Sequence, residues 1–289
     1  MDPISVLVSL NANYLPQLHV LLTSIYCNNP GEKIDLYLLH SGMEPAQLEQ
    51  VARRCETYGY ALFPISVDRE QFADAPVSKR YPPEMYYRLL SSRMLPDGVE
   101  RILYLDPDVL VLNPLRPLWE LDLGGKALAA AAHTGKTELA NNVNRLRLGT
   151  AHDYYNSGVL LMDVAACRKL MVPEEIFQYV SRHAKELLLP DQDILNALYG
   201  SQIYPLDDAV WNYDARNYNT YLVSSSGQRN LRWVMSHTAV LHFCGKAKPW
   251  KPGYIYRFGV LYLHYAQITD RLQPRPVPMV QAGETVALD

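Results

Sequence analysis

The sequence predicts an α/β protein: an open, mostly parallel sheet flanked by helices, with a small helical extension at the C-terminal end. Three observations predict it. Short apolar runs alternate with amphipathic stretches through the first hundred residues. Helix starts stand at Pro16, at Pro45 and at the Pro82-Pro83 pair, and Asn28-Asn29-Pro30-Gly31 is a stop. The amphipathic stretches have the length of crossover connections between parallel strands, which are right-handed with few exceptions.

Taken in order, residues 4–9 form a buried strand and 11–13 a turn. The helix from Pro16 sets Leu18, Leu21, Leu22 and Ile25 on one face. A second strand covers 35–40, and the helix from Pro45 turns Leu48, Val51, Ala52 and Cys55 inward. A third strand covers 60–65. The helix after Pro82-Pro83 carries Met85, Tyr86, Leu89, Leu90 and Met94, and a fourth strand, 101–105, stops at Asp106. Ligands of such sheets sit beyond the carboxyl ends of strands, so 11–14 and 106–108 are expected to share one cleft. The second half is less regular. It reads as an alanine-rich strand at 126–132, a polar loop or short excursion at 134–153 and an apolar run at 159–162. Helices at 174–188 and 191–199, a late strand at 239–243 and a terminal helix at 254–268 complete it. The tail from Gln273 has prolines and no periodicity and is expected to be poorly ordered.

Composition narrows the function. The chain has 289 residues, 48% hydrophobic and 20% charged, enough to bury a sizeable core. A formal charge of -3 offers no bulk attraction for nucleic acid. Cys27, Cys55, Cys167 and Cys244 are scattered and form no CxxC pair, which points away from structural zinc and toward reduced thiols in the cytoplasm. The opening MDPISVLVSLN lacks a basic leader region and reads as a first core strand, and no apolar run is long enough to span a bilayer.

Glycine-rich phosphate loops are missing: there is no GxxxxGK[ST], and no GxGxxG after the first strand. A nucleotide held here would need another countercharge, such as a divalent cation on carboxylates. Asp106-Pro107-Asp108, inside the apolar run ILYLDPDVLVL, supplies two carboxylates at a strand end, with Pro107 stiffening the turn. Two such charges among apolar neighbours are costly unless compensated, which favours a bound Mg2+ or Mn2+; alternatively they cap a turn. His242 ends the run 239–241 and would complete a ligand set better suited to Mn2+, or is a core histidine. Gly245 would let backbone approach phosphate and Lys248 would supply a point charge to it. Asp191 and Gln192 open a short helix, where Asp191 is also a plausible cap. Asn156-Ser157-Gly158 before a strand is ambiguous, and Arg88 is either a surface residue or an anion ligand.

Together, YLDPDVLV (104–111), YYNSGVLLMD (154–163), LPDQDILN (189–196), HFCGKAKPW (242–250), MYYRLL (85–90) and NANY (11–14) resemble glycosyltransferase family 8, over residues 4–265. That family includes bacterial lipopolysaccharide galactosyl- and glucosyltransferases and the glycogenins. The resemblance implies a GT-A fold and transfer of a hexose from a UDP-sugar, with retention and Mn2+ dependence. It implies Asp106, Asp108 and His242 as Mn2+ ligands, with Mg2+ a substitute. Ser9, Asn11, Asn13 and Tyr14 would lie at the uridine, with Tyr14 stacking on uracil. Arg88, Asn156, Asp191 and Gln192 would line the donor sugar, and Gly245 and Lys248 would hold the diphosphate, with Pro107 in the turn between the carboxylates. Gln192, Asp191 and Lys248 are the expected catalytic residues. Two departures stand out: Asn11 replaces a frequent aspartate near the uracil, and His133 replaces an aspartate of the galactosyltransferases.

The resulting expectation is a retaining transferase of glucose or galactose from UDP to a glycan, glycolipid or other hydroxyl acceptor. Residues 1–250 would form the transferase domain, 251–272 a helical segment for membrane or partner contact, and 273–289 a flexible tail. Trp250–Phe258 mixes aromatic and basic residues, as segments lying on a membrane do, so peripheral contact with the inner membrane face is possible alongside plain packing on the core. Two other readings stay open: a nucleotide-sugar or glycan binder without catalysis, and a DxD phosphohydrolase of the haloacid dehalogenase type, for which Leu110 is an unusual residue.

Overall fold

The computed structural model describes residues 2–68, 72, 75–76, 83–132 and 138–272. His133 and the tail 273–289 lie outside the described residues, as does the side chain of Met85. The first half runs β1 (Ile4–Leu10), α1 (Leu15–Asn28), β2 (Ile34–His40), α2 (Pro45–Tyr58), β3 (Ala61–Ser66), α3 (Pro83–Leu89), α4 (Ser91–Met94) and β4 (Arg101–Leu105). Next come β5 (Val109–Val111), α5 (Arg116–Trp119), β6 (Leu128–Ala132), α6 (Glu138–Leu148), β7 (Tyr155–Asp163), α7 (Val164–Leu170), α8 (Pro173–His183) and α9 (Pro190–Tyr199). The chain closes with β8 (Ile203–Leu206), α10 (Asp208–Trp211), β9 (Tyr213–Asp214), α11 (Tyr218–Ser224), α12 (Leu231–His237), β10 (Val240–His242) and α13 (Gly259–Arg271).

Among the described residues, seven strands form one sheet in the order β3-β2-β1-β4-β7-β6-β8. β1 pairs in parallel with β2 and β4, β2 with β3, and β6 with β8, while β7 runs against β4 and β6. Period-two alternation explains why both faces are covered. Val6 and Val8 of β1, with Leu103 and Leu105 of β4, enter one apolar cluster. Leu7, Ile102 and Tyr104 enter the cluster on the other face. Each fully buried Val or Leu contributes roughly 1.5–3 kcal/mol, which fixes the central strands firmly.

The chain steps outward from β1 to β2 and β3, then returns to the other side of β1 as β4. That reversal opens a crevice beyond the ends of β1 and β4, where Asn11 and Asp106 begin. The run ILYLDPDVLVL is longer than one strand because it serves two sheets. After the two aspartates, β5 pairs with β10, and β10 with β9, in a separate three-stranded sheet. Asp106-Pro107-Asp108 is the crossing between sheets, pinned at both ends by buried Leu105 and Val109.

Three expectations need correction. The stretch 134–153 is not simply a loop: it contains α6, held by Arg147 reaching Asp193 on α9. The helix expected at 174–188 stops at His183, because 184–189 turns to bury Leu187 and leads into Pro190, which disfavours helix before it. The terminal helix starts at Gly259 rather than 254 and runs to Arg271, since Tyr254 is committed to an edge-on contact with Phe243. α13 docks on α1 through buried Tyr262, Tyr265 and Thr269. Asn28 donates to the Tyr265 hydroxyl at 2.7 Å, and the buried guanidinium of Arg54 donates to the carbonyls of Thr269 and Leu272 at 2.9 Å, where the helix dipole favours a cation.

Candidate active site

The crevice holds two connected cavities. One, of about 200 Å³, is lined by Ser9, Asn11, Tyr14 and Pro107. The other, of about 410 Å³, is lined by Asn156, Asp191, Gln192, His242 and Gly245. Both are also lined by Arg88, Asp106 and Asp108, so the carboxylate pair stands where they meet.

Each carboxylate has its own countercharge. Tyr104 lies two residues before Asp106 on the same face, and its hydroxyl donates to Asp106 Oδ1 at 2.7 Å. Arg88 donates Nε to that hydroxyl at 2.9 Å, and its two terminal nitrogens go to Asp106 and Asp191. Ser157 links to the same group, receiving from Arg88 Nη1 at 2.8 Å and donating to Asp191 Oδ2 at 3.1 Å. Asp108 is bonded by the Lys248 ammonium, which also donates to the Phe243 carbonyl at 2.8 Å, and faces His242 Nε2 at 3.2 Å. Each carboxylate thus has a cationic partner supplied by the chain itself.

The two aspartates differ electrostatically. Burial pushes the Asp106 carboxyl above its ordinary range, against the pull of Arg88. Burial also acts on Asp108, but His242 and Lys248 overcome it and hold that carboxyl well below the usual range. Burial disfavours the imidazolium of His242, yet Cys244 and Asp108 raise its pKa well above the ordinary value. Of these two, the Asp108 carboxylate is the physical source, because burial pushes the Cys244 thiol up and keeps it neutral.

Oxygen atoms of Asp106 and Asp108 and a ring nitrogen of His242 lie within 4.8 Å of one another. Two carboxylates and an imidazole form a donor set that suits a divalent cation. Gly158 makes this convergence possible, since a Cβ there would lie 2.3 Å from His242 Cε1 and 2.8 Å from Asp106 Oδ2.

The other expected residues fall as follows. The Asn11 side chain caps the turn after β1, accepting from Asn13 N at 3.1 Å. Asn13 is exposed in that turn. Tyr14 is exposed at the mouth of the smaller cavity, its ring edge-on to Trp250 at 6.4 Å. Arg88 is part-buried between the two cavities, with its guanidinium on Asp106 and Asp191. Asp191 does not cap its helix, and Asp193 instead accepts from the amides of Leu188 and Leu189. Asn156 Nδ2 donates to Gln192 Oε1 at 3.0 Å. Gly245 adopts φ +82°, and a Cβ there would lie 2.4 Å from Arg216 Nη1, so the Arg216 guanidinium packs directly against this glycine.

Sequence reasoning missed Arg216, Asn212 and Tyr104. Arg216 is clamped by Asp214, which takes Nε at 2.9 Å and Nη2 at 2.6 Å. Asn212 is fully buried and accepts from His242 Nδ1 at 2.9 Å. Neither lies in a periodic stretch or a motif, so only the fold brings them in. Tyr104 was findable, because it is two positions from Asp106 on a strand.

The family model for glycosyl transferase family 8 matches residues 5–252. General stress protein A of Bacillus subtilis is 28% identical over 265 residues, covering 89% of this chain and 91% of that protein. The lipopolysaccharide 1,2-glucosyltransferase of Escherichia coli K12 is 26% identical over 263 residues, covering 88% of this chain and 74% of the enzyme. The crystal structure of the galactosyltransferase LgtC in complex with donor and acceptor sugar analogues superimposes with a TM-score of 0.77 at 26% identity, covering 96% of this chain and 98% of that one. The architecture is GT-A. With the motif blocks, the crevice at the β1–β4 reversal and the match across most of its length in agreement, this chain belongs to glycosyl transferase family 8.

Proposed function

We propose that the protein is a retaining hexosyltransferase that takes glucose or galactose from a UDP-sugar, with Mn2+ preferred and Mg2+ a substitute, and passes it to a hydroxyl of a glycan or glycolipid. The observation that carries this reading is the convergence of Asp106, Asp108 and His242 where the two cavities meet. The smaller cavity suits the uridine, with Tyr14 available to stack on it, and the larger suits the hexose and the acceptor.

Asp106, Asp108 and His242 would hold the cation, which when bound supplies countercharge to the leaving diphosphate. Lys248 stands beside Asp108 and would share its charge with the same phosphates as the anomeric bond lengthens. Asp191 is a positioning residue, fixed by Arg88 and Ser157. Gln192 lines the cavity on the sugar side, but an amide is a weak nucleophile. Retention is better served by front-side attack. The acceptor oxygen bonds to the anomeric carbon as the bond to the UDP oxygen breaks, and a phosphate oxygen of UDP takes the acceptor's proton.

The test is a thermal-shift screen of UDP-sugars with Mn2+, since a ligand that binds the native state raises its apparent stability. A shift with UDP-glucose or UDP-galactose, followed by release of UDP, supports transfer. A shift with the donor left intact would instead make the protein a binder. No shift with any UDP-sugar overturns the reading.

Peripheral membrane contact is proposed as a lesser function of 251–272, consistent with a cytoplasmic protein. Ile255, Val260 and Leu263 are exposed beside Lys251 and Arg257. Among the described residues no helix is long and apolar enough to cross a membrane. Co-sedimentation with anionic liposomes, lost on Ile255→Ser with Leu263→Ser, would support it, and equal sedimentation of both proteins would end it.

A further inference from the structure

A chain of side-chain amides joins the cation site to Gln192, and one backbone group sets the direction of every bond in it. The Gly158 amide can only donate, and it donates to Asn156 Oδ1 at 2.9 Å. Asn156 Nδ2 is thereby turned away from Gly158 and donates to Gln192 Oε1 at 3.0 Å. Asn212 meets the same Asn156 Oδ1 at 2.9 Å, so it presents Nδ2 to it. Asn212 Oδ1 is then left facing His242 Nδ1 at 2.9 Å, and that nitrogen carries a proton. An amide alone leaves oxygen and nitrogen interchangeable, but a backbone donor at one end of a chain removes the ambiguity.

We infer that Asn212 is a positioning residue: anchored through Asn156 on the Gly158 amide, it holds His242 with Nδ1 protonated and Nε2 turned to the cation, while the same chain fixes the Gln192 amide with its oxygen on Asn156. The inference rests on the hexosyl-transfer reading of this site. Three features support it. Asn212 is 0% exposed and His242 4%, so water does not substitute for the bond. His242 Nε2 points at Asp108 Oδ1, 3.2 Å away, and Asp106 Oδ2, 3.9 Å away, which is the direction a ligand nitrogen needs. A hydrogen bond to the distal nitrogen is the usual way a protein fixes the tautomer and ring orientation of a metal-binding histidine. The chain also bears on mechanism. Gln192 Oε1 accepts from Asn156, so its oxygen is engaged and less available as a nucleophile, in keeping with front-side attack.

The test measures Mn2+ binding without nucleotide, from the free-ion electron paramagnetic resonance signal, for wild type, Asn212→Asp and Asn212→Leu. Asn212→Asp keeps an acceptor for His242 but loses the donor to Asn156, and is expected to bind less tightly than wild type and more tightly than Asn212→Leu. Asn212→Leu loses both and is expected to bind about ten- to a hundred-fold more weakly than wild type. Equal binding by Asn212→Leu and wild type, or equal weakening by both variants, overturns the inference. Nitrogen-15 NMR of the Mg2+-loaded wild type gives a second readout that needs no variant to fold: a proton on His242 Nδ1 and none on Nε2 is expected, and the reverse contradicts it. Asn156→Asp keeps both acceptor contacts but cannot donate to Gln192. It should lower kcat/KM for the donor, and an unchanged kcat/KM refutes the link to Gln192. A wild type that binds no Mn2+ would overturn the cation site and the functional reading with it, whereas wild-type binding with indifferent variants overturns only the role of Asn212.

Discussion

The Lys248 ammonium lies against the Asp108 carboxylate although 140 positions separate them in the chain. The contact draws the loop after β10 onto the crossing between the two sheets and sets the charge of the site before any ligand arrives. Removing it should be costly. Breaking one partner of a largely buried ion pair leaves the other charge stranded, so Lys248→Met is expected to lower the stability of the metal-free protein by about 3 kcal/mol. Urea unfolding at neutral pH checks this. Mn2+ should then stabilise the variant more than wild type, since the ion replaces the missing countercharge. An unchanged midpoint would mean that Asp108 is compensated elsewhere.

Arg88 spans two carboxylates and a tyrosine hydroxyl with one planar fork. A lysine carries a point charge and cannot reproduce that geometry. Arg88→Lys should retain the fold while turnover of the donor falls about a hundred-fold, because Asp106 and Asp191 lose their common brace. Steady-state kinetics decides this, and turnover within a few-fold of wild type would show that the brace is dispensable.

How much of this was legible beforehand depends on the kind of signal. The alternation of Val6, Leu7 and Val8, and the helix starts at Pro16 and Pro45, are local patterns, and the strands and helices they imply are present. Asp106, Asp108, Asp191, Gln192 and His242 sit in motif blocks and do converge on one crevice. α6 was not legible, because what holds its end is a charge contact from Arg147 to Asp193 on another helix rather than an apolar stripe. Asn212 and Arg216 act through partners chosen by the fold, and nothing near them in sequence marks them. The compensation of the aspartates was likewise invisible, since Lys248 and Arg88 reach them only after folding.

Gly158 gives a steric prediction. Gly158→Ala would place a Cβ 2.3 Å from the His242 ring, and that ring is already held by Asn212 and Asp108. The ring must shift, so Mn2+ affinity should fall at least about tenfold, with circular dichroism showing the fold retained. Affinity equal to wild type would show that the ring can move without consequence.

His19 gives a prediction of pH dependence. Burial, and then the nearby Arg54 cation, lower its pKa to about 4 from an ordinary 6.5. Between those values the unfolded chain binds a proton that the folded chain does not. Stability therefore falls as pH drops from 6.5 toward 4, by up to about 3 kcal/mol from this group. His40, also lowered by burial, acts in the same direction. Urea midpoints measured across that window should show a shallower decline for His19→Gln than for wild type. Equal slopes would mean that His19 gains water in the folded protein.

The most direct test of the central claim is release and transfer of labelled hexose from UDP-[14C]glucose and UDP-[14C]galactose, with Mn2+ or with EDTA, by wild type and Asp108→Asn. Cation-dependent turnover of at least one donor by wild type, lost with EDTA and reduced about a hundred-fold or more in Asp108→Asn, is the predicted result. Turnover that ignores EDTA and the substitution, or no turnover of either donor, would contradict it.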